Sequence, residues 1–147
     1  MTDAILAAGG GFLLAVLWLD LMFDVQALRA PRGAPLPEPA LASIAGYYQR
    51  VTIDAQPMPR VVGIVMAILV GAMLFAPLPW DARRIASLLL LGVPIALALT
   101  RVFPQARRLA ARAGTPDEQS RLARGIAHAH VACLLAIAAF LVLRLAA

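Results

Sequence analysis

Lysine is absent from this chain: all 13 basic residues are arginine. With so much alanine alongside, we read this as genomic base composition and not as a functional choice. Cysteine occurs once, as Cys133, which excludes an internal disulfide and a Cys-x-x-Cys metal site. Charge is scarce: 14% of the 147 residues are charged, against about a quarter in an average soluble domain. There is no internal repeat and no phosphate loop, because Gly9-Gly10-Gly11 precedes no Lys-Ser/Thr pair. The start, Met1-Thr2-Asp3, lacks the positive charge of a secretory signal peptide, so the first apolar segment is expected to persist as a helix.

What the chain has is apolar surface. Hydrophobic residues make up 62% of it, which excludes both an ordinary water-soluble globule and a disordered chain. A net charge of +5 would suggest nucleic acid in a soluble protein; here the lipid bilayer is the expected partner and nucleic acid is not.

Four segments are long and apolar enough to matter: residues 4–28 (admitting Asp20 and Asp24), 61–80, 85–100 and 125–143. A helix needs roughly 20 residues to cross about 30 Å of hydrocarbon. The runs are continuous and not alternating, so helices are expected in place of a barrel. The reading is an all-α, integral membrane four-helix bundle forming a single domain over 1–147. Its crossings are expected near 4–28, 60–80, 84–103 and 117–145, with Pro94 tilting or kinking the third.

Orientation follows from arginine. Loops 29–60 and 101–124 hold ten: Arg29, Arg32, Arg50, Arg60, Arg101, Arg107, Arg108, Arg112, Arg121 and Arg124. The other side holds Arg83, Arg84 and Arg144. The positive-inside rule then puts both long loops in the cytoplasm and both termini outside, in a bacterial inner membrane. Trp18 and Trp80 suit interfacial anchors. Prolines 31, 35, 37 and 39 predict a stiff, extended connector. Leu41, Ile44, Tyr48 and Val51 then recur at helical spacing, which predicts a short amphipathic helix on the cytoplasmic surface, closed by Pro57 and Pro59. Thr115-Pro116-Asp117-Glu118 carries the marks of a helix start: an N-cap, a first-position proline and acidic residues at the positive helix end.

Small residues recur every four positions in Ala7/Gly11/Ala15, Gly63/Ala67/Gly71 and Gly125/Ala129/Cys133. Such stripes are expected to be bundle seams, or a contact with another copy. Cys133 reads as a packing residue.

The informative groups are ionisable side chains inside apolar segments. Asp20 and Asp24 share one helix face. In the proposed topology both lie at the cytoplasmic depth of His128 and His130, and they are expected to face the bundle interior. Three roles stay open: a structural pair with Arg60, Arg101 or Arg124; a ligand or metal site; or a proton path. The absence of a Glu-x-x-His motif argues against a metal centre. The histidines, two residues apart, point to nearly opposite sides of a helix, so one at most joins a given site. His128 accompanies Gly125, Ala129, Ala132 and Ala136; His130 accompanies Ile126, Cys133 and Ile137. Tyr47, Tyr48, Arg50 and Asp54 form a polar-aromatic group, either a ligand-binding cap over the aspartates or a solvated interfacial belt.

Residues 10–26, Tyr47-Tyr48-Gln49-Arg50 followed by Pro57-Met58-Pro59, and the His-bearing start of the fourth helix resemble the anthrone-oxygenase-like family of small four-helix membrane proteins. Where that family often has Arg three residues after His, this chain has Val131 after His128 and Cys133 after His130. Residues 19–26 and 47–58 also resemble uncharacterised bacterial membrane proteins. The first resemblance implies oxidation of a polyketide-like aromatic, without a defined cofactor. The residues themselves name no cofactor. Three functions follow as expectations. The first is an accessory or structural subunit contacting other membrane subunits or itself. The second is a small oxygenase-like membrane enzyme using Asp20, Asp24 and a histidine, and the third is a transporter. Of these only the accessory role needs no cavity.

Overall fold

A computed structural model describes residues 2–31, 33–55, 57–77 and 79–146. Arg32, one of the ten arginines counted above, lies outside the described residues. The described chain is helical, with no strand: α1 (Thr2–Arg29), α2 (Glu38–Gln49), α3 (Pro57–Phe75), α4 (Ala82–Leu97), α5 (Phe103–Ala110) and α6 (Pro116–Leu145). Two wider π-turns, Arg50–Asp54 after α2 and Ala98–Val102 between α4 and α5, complete it. Through the second π-turn α4 and α5 make one cylinder, Ala82–Ala110. With α1, α3 and α6 that gives four helices long and apolar enough to cross a membrane.

Local chemistry explains the boundaries that differ from expectation. The second long helix stops at Phe75 and not near 80, because Pro77 and Pro79 donate no backbone hydrogen bond and disfavour helix in the residues before them. Pro57 and Pro59 do not precede α3 but occupy its first turn, where a missing N–H costs nothing. The third helix runs on to Ala110. Pro94 sits inside α4, and the π-turn that follows leads directly into α5 with Pro104 in its first turn, so only residues 111–115 join α5 to α6. α6 starts on a capping box: the Thr115 hydroxyl accepts from the Glu118 N–H, and the Glu118 carboxylate accepts from the Thr115 N–H.

α1 and α6 are antiparallel neighbours, joined by an Arg144–Asp3 ion pair of 2.9 Å at one end and by Arg124 donating to the Pro31 and Ala34 carbonyls at the other. A Cβ on Gly10 would come within 2.6 Å of a Leu141 methyl, and one on Gly9 within 2.7 Å of a Leu69 methyl. The seam of α1 is therefore Gly9 and Gly10. Gly11 and Ala15 are exposed, and their expected stripe faces outward. Gly63 and Ala67 are exposed as well. Gly125, Ala129 and Cys133 do form a seam, closely approached by Gln105.

Two apolar cores stack along the bundle. One gathers Leu41, Ile44 and Tyr48 of α2 with Leu109 and Ile126. The other gathers Leu6 and Leu13 with Leu69, Leu91, Ile137 and Phe140. α2 thus lays its apolar face on α5 and α6. At the far end Arg84 is buried; it donates to the Met73 and Leu74 carbonyls at 2.7 Å and lies 3.9 Å over the Trp80 ring. Arg83 donates to the Leu143 and Arg144 carbonyls. Both arginines satisfy carbonyls at helix C-terminal ends, which have no intrahelical partner.

Candidate functional site

Between the two cores the interior turns polar. On α1, Asp20 and Asp24 fall after the residues of one core and before those of the other; on α6, His130 does the same. Asp24 is wholly buried. Its Oδ1 accepts from the Tyr48 hydroxyl at 2.7 Å, and its Oδ2 lies 2.7 Å from His130 Nδ1. A carboxylate already accepting from Tyr48 offers Oδ2 as an acceptor, so Nδ1 carries the hydrogen and donates it. His130 Nε2 is thereby turned toward Asp20, whose Oδ2 is 3.8 Å away, too far for a hydrogen bond. Asp20 Oδ1 accepts from the Tyr47 hydroxyl at 2.5 Å. Tyr47 stacks on Phe23 at 4.1 Å and meets Tyr48 edge-on.

α2 positions both phenols. Tyr48 falls on the buried face with Leu41 and Ile44, while Tyr47, one residue back, is half-buried and reaches the adjacent aspartate. Burial first, then the Asp20 carboxylate, pushes the Tyr47 phenol well above its ordinary value. Burial, then Asp24, does the same for Tyr48, so both remain hydrogen-bond donors.

A cavity of about 120 Å³ opens beside this cluster. Every long helix contributes to its wall, with Leu17 from α1, Val62 and Met66 from α3, Phe103 from α5 and Ile137 from α6 among the apolar groups. Asp20, Tyr48, Thr52 and His130 supply its polar side, and Cys133 also faces it. Both π-turns reach the wall, through Val51 and Thr52 and through Ala98 and Val102. Such turns recur where a helix is reshaped around a site.

Of the groups singled out in the sequence, Asp20, Asp24, His130, Tyr47 and Tyr48 converge. His128 does not: its side chain is exposed, with Nδ1 2.7 Å from the Arg124 carbonyl. Arg50 and Asp54 are exposed, and the Asp54 carboxylate accepts from the Gln49 side chain at 3.4 Å. The partners of the aspartates are phenol and imidazole in place of arginine: Arg124 is spent on carbonyls, and Arg60 and Arg101 are exposed. Among the described residues no group of three or more His, Cys, Asp or Glu is placed to hold a metal ion. Thr52 was not anticipated. Its one sequence signal is its place a turn after Tyr48, whose carbonyl takes its hydroxyl at 2.6 Å.

No protein-family model, curated protein or solved structure matches the chain.

Proposed function

We propose that the chain is a multi-pass protein of the bacterial inner membrane in which His130, steered by Asp24, exchanges a proton with a small and mostly apolar molecule in the central cavity. One observation carries this reading: the Asp24–His130 contact leaves Nε2 facing the polar side of an otherwise apolar cavity. Asp24 holds the tautomer and would stabilise the imidazolium formed when Nε2 accepts a proton. Tyr48 fixes Asp24 in turn, and Tyr47 fixes Asp20. Oxidation of an aromatic substrate, which the resemblance implies, is compatible with this step, since ionising an aromatic hydroxyl makes the ring easier to oxidise. No cofactor is assigned.

The ten-to-three arginine split supports cytoplasmic placement of α2, the α5–α6 connection and the start of α3, with both termini outside. The test of the chemistry is exchange of solvent deuterium into one-ring carbon acids, β-diketones and hydroxyarenes, by purified protein in lipid nanodiscs. Wild type should accelerate exchange and His130→Gln should not. Equal rates would end the acid–base reading.

A second reading, an accessory subunit or self-associating bundle, is favoured by a separate observation. A Cβ on Gly63 or Gly71 would meet nothing within 4 Å, and exposed Ile64 and Ile68 lie on the same helix. Close approach of another membrane helix would use such a face. Gly63→Leu would then release the partner while leaving the isolated bundle folded.

A further inference from the structure

Resting only on the tautomer of the reading above, with Nε2 of His130 bare, we infer that the cavity binds a primary ammonium ion on an apolar body, taken up in exchange for a proton on Nε2. Hydrogen bonding points to a ligand that donates twice. Nδ1 of His130 donates to Asp24, so Nε2 offers a lone pair. The side chain is only 6% exposed, and among the described residues Nε2 has no hydrogen-bond partner. Asp20 Oδ1 accepts from Tyr47, which leaves Oδ2 as a second acceptor, 3.8 Å from Nε2. An alcohol or phenol has one hydrogen and would set its own oxygen against the other acceptor. A primary ammonium has three. Its nitrogen, about 2.9 Å from each acceptor, sees them about 80° apart, so each N–H bond lies only about 15° off its line.

Charge points the same way. Asp20 lines the cavity, Asp24 stands behind His130, and among the described residues no arginine lines the wall. With the imidazole neutral, two interior carboxylates lack a cation, a costly state in a low dielectric. Water donates twice but brings no charge. A metal ion takes more ligands, and among the described residues no three His, Cys, Asp or Glu are grouped to hold one. An alkylammonium ionises near the lysine value of about 10.4, so it is cationic at neutral pH. Leu17, Val62, Met66 and Phe103 offer its body an apolar wall.

A proton competes for the same lone pair. Once Nε2 is protonated, its N–H points toward Asp20 and repels the ammonium from that seat. The titratable groups around it are Asp20 and Asp24 of α1, Tyr47 and Tyr48 of α2, and Cys133 of α6. The wall residues of α3, α4, α5 and both π-turns carry none. Both phenols donate to the carboxylates, and the carboxylates attract proton and ammonium alike. The exchange balances: the Nε2–H bond breaks, its electron pair stays on nitrogen, and the proton leaves to solvent. That pair then accepts from the ammonium, and the site keeps the same net charge.

The test is saturable binding of tritium-labelled hexylamine to purified protein in nanodiscs, with empty nanodiscs subtracted. Unlabelled hexylamine should displace the label. Hexanol, with one hydrogen and no charge, and hexyltrimethylammonium, with charge and no N–H, should each compete at least about tenfold more weakly. Asp20→Asn should weaken binding by a similar factor, because Tyr47 keeps the amide oxygen and the amide nitrogen then turns its hydrogens to Nε2. Affinity should fall as pH is lowered from about 9 to about 5, by up to about tenfold per unit. Nitrogen-15 spectra of histidine-labelled His128→Gln protein should show Nε2 passing from protonated to bare as hexylamine is added at the acid end. Equal competition by hexanol or hexyltrimethylammonium, indifference to Asp20→Asn, pH-independent affinity, an unmoved Nε2 signal or no saturable binding would overturn the assignment. Should Asp20→Asn fail to fold, the wild-type competition series decides. If hexylamine binds as described but carbon acids show no deuterium exchange, the acid–base reading falls and the ligand stands. If exchange is found and hexylamine does not bind, the ligand assignment falls alone.

Discussion

Asp24 carries two roles through its two oxygens, and a substitution separates them. Asp24→Ala leaves the Tyr48 hydroxyl and His130 Nδ1 unpaired in the interior, a loss of about 3–5 kcal/mol by analogy with broken buried pairs. Asp24→Asn keeps size and one acceptor oxygen. It should fold, with a small change in melting temperature, and lose deuterium exchange because the imidazole is no longer held with Nε2 free. Loss of both in proportion would mark the aspartate as merely structural. The phenols give a second check. The chain has two tyrosines, and both are raised well above the ordinary value of about 10. Absorbance at pH 11 should therefore show no tyrosinate until the protein unfolds. The unfolded chain releases these protons first, so stability is full below about pH 10 and declines as pH rises beyond it. Tyrosinate appearing near pH 10 in folded protein would contradict the buried hydrogen bonds.

Elements show how far sequence reasoning reaches. The shared depth of Asp20, Asp24 and a histidine followed from helix direction alone. Which histidine turned inward did not, because His128 and His130 sit in an almost uniformly small and apolar stretch that gives no phase. The same applies to Gly9-Gly10-Gly11: three residues without side chains leave nothing to mark the inward one, and regular four-residue spacing pointed to Gly11. Packing decides for Gly9 and Gly10. Gly10→Val should accordingly cost ~1–3 kcal/mol through overpacking against Leu141, while Gly11→Val should change stability by less than ~0.5 kcal/mol. Thermal denaturation of the two variants compares them, and the opposite order would place the seam elsewhere. In the sequence Arg83 and Arg84 were legible only as charges in the count from which an orientation is expected. Their bonds to helix-end carbonyls depend on which helices end beside them, which spacing along the chain does not carry. The π-turns were likewise hidden, since Pro94 announces a bend but not the form it takes.

For the molecule as a whole, depth and orientation are one question. If the α5–α6 connection is cytoplasmic, a cysteine placed at Thr2 should be labelled by an impermeant reagent from outside, and one at Gly114 should be spared, both in a Cys133→Ser background. Reversed labelling would move the cavity to the outer leaflet. The bundle's two cores leave a polar gap between them, and that gap holds the aspartates, phenols and imidazole together. The claim that matters most is that Asp24 fixes the His130 tautomer. Nitrogen-15 spectra of histidine-labelled protein in bilayers, with His128→Gln to leave one signal, test it directly. The dyad predicts a hydrogen always present on Nδ1, a proton that comes and goes at Nε2, and loss of that order in Asp24→Asn. A bare Nδ1 with the hydrogen settled on Nε2 would contradict it.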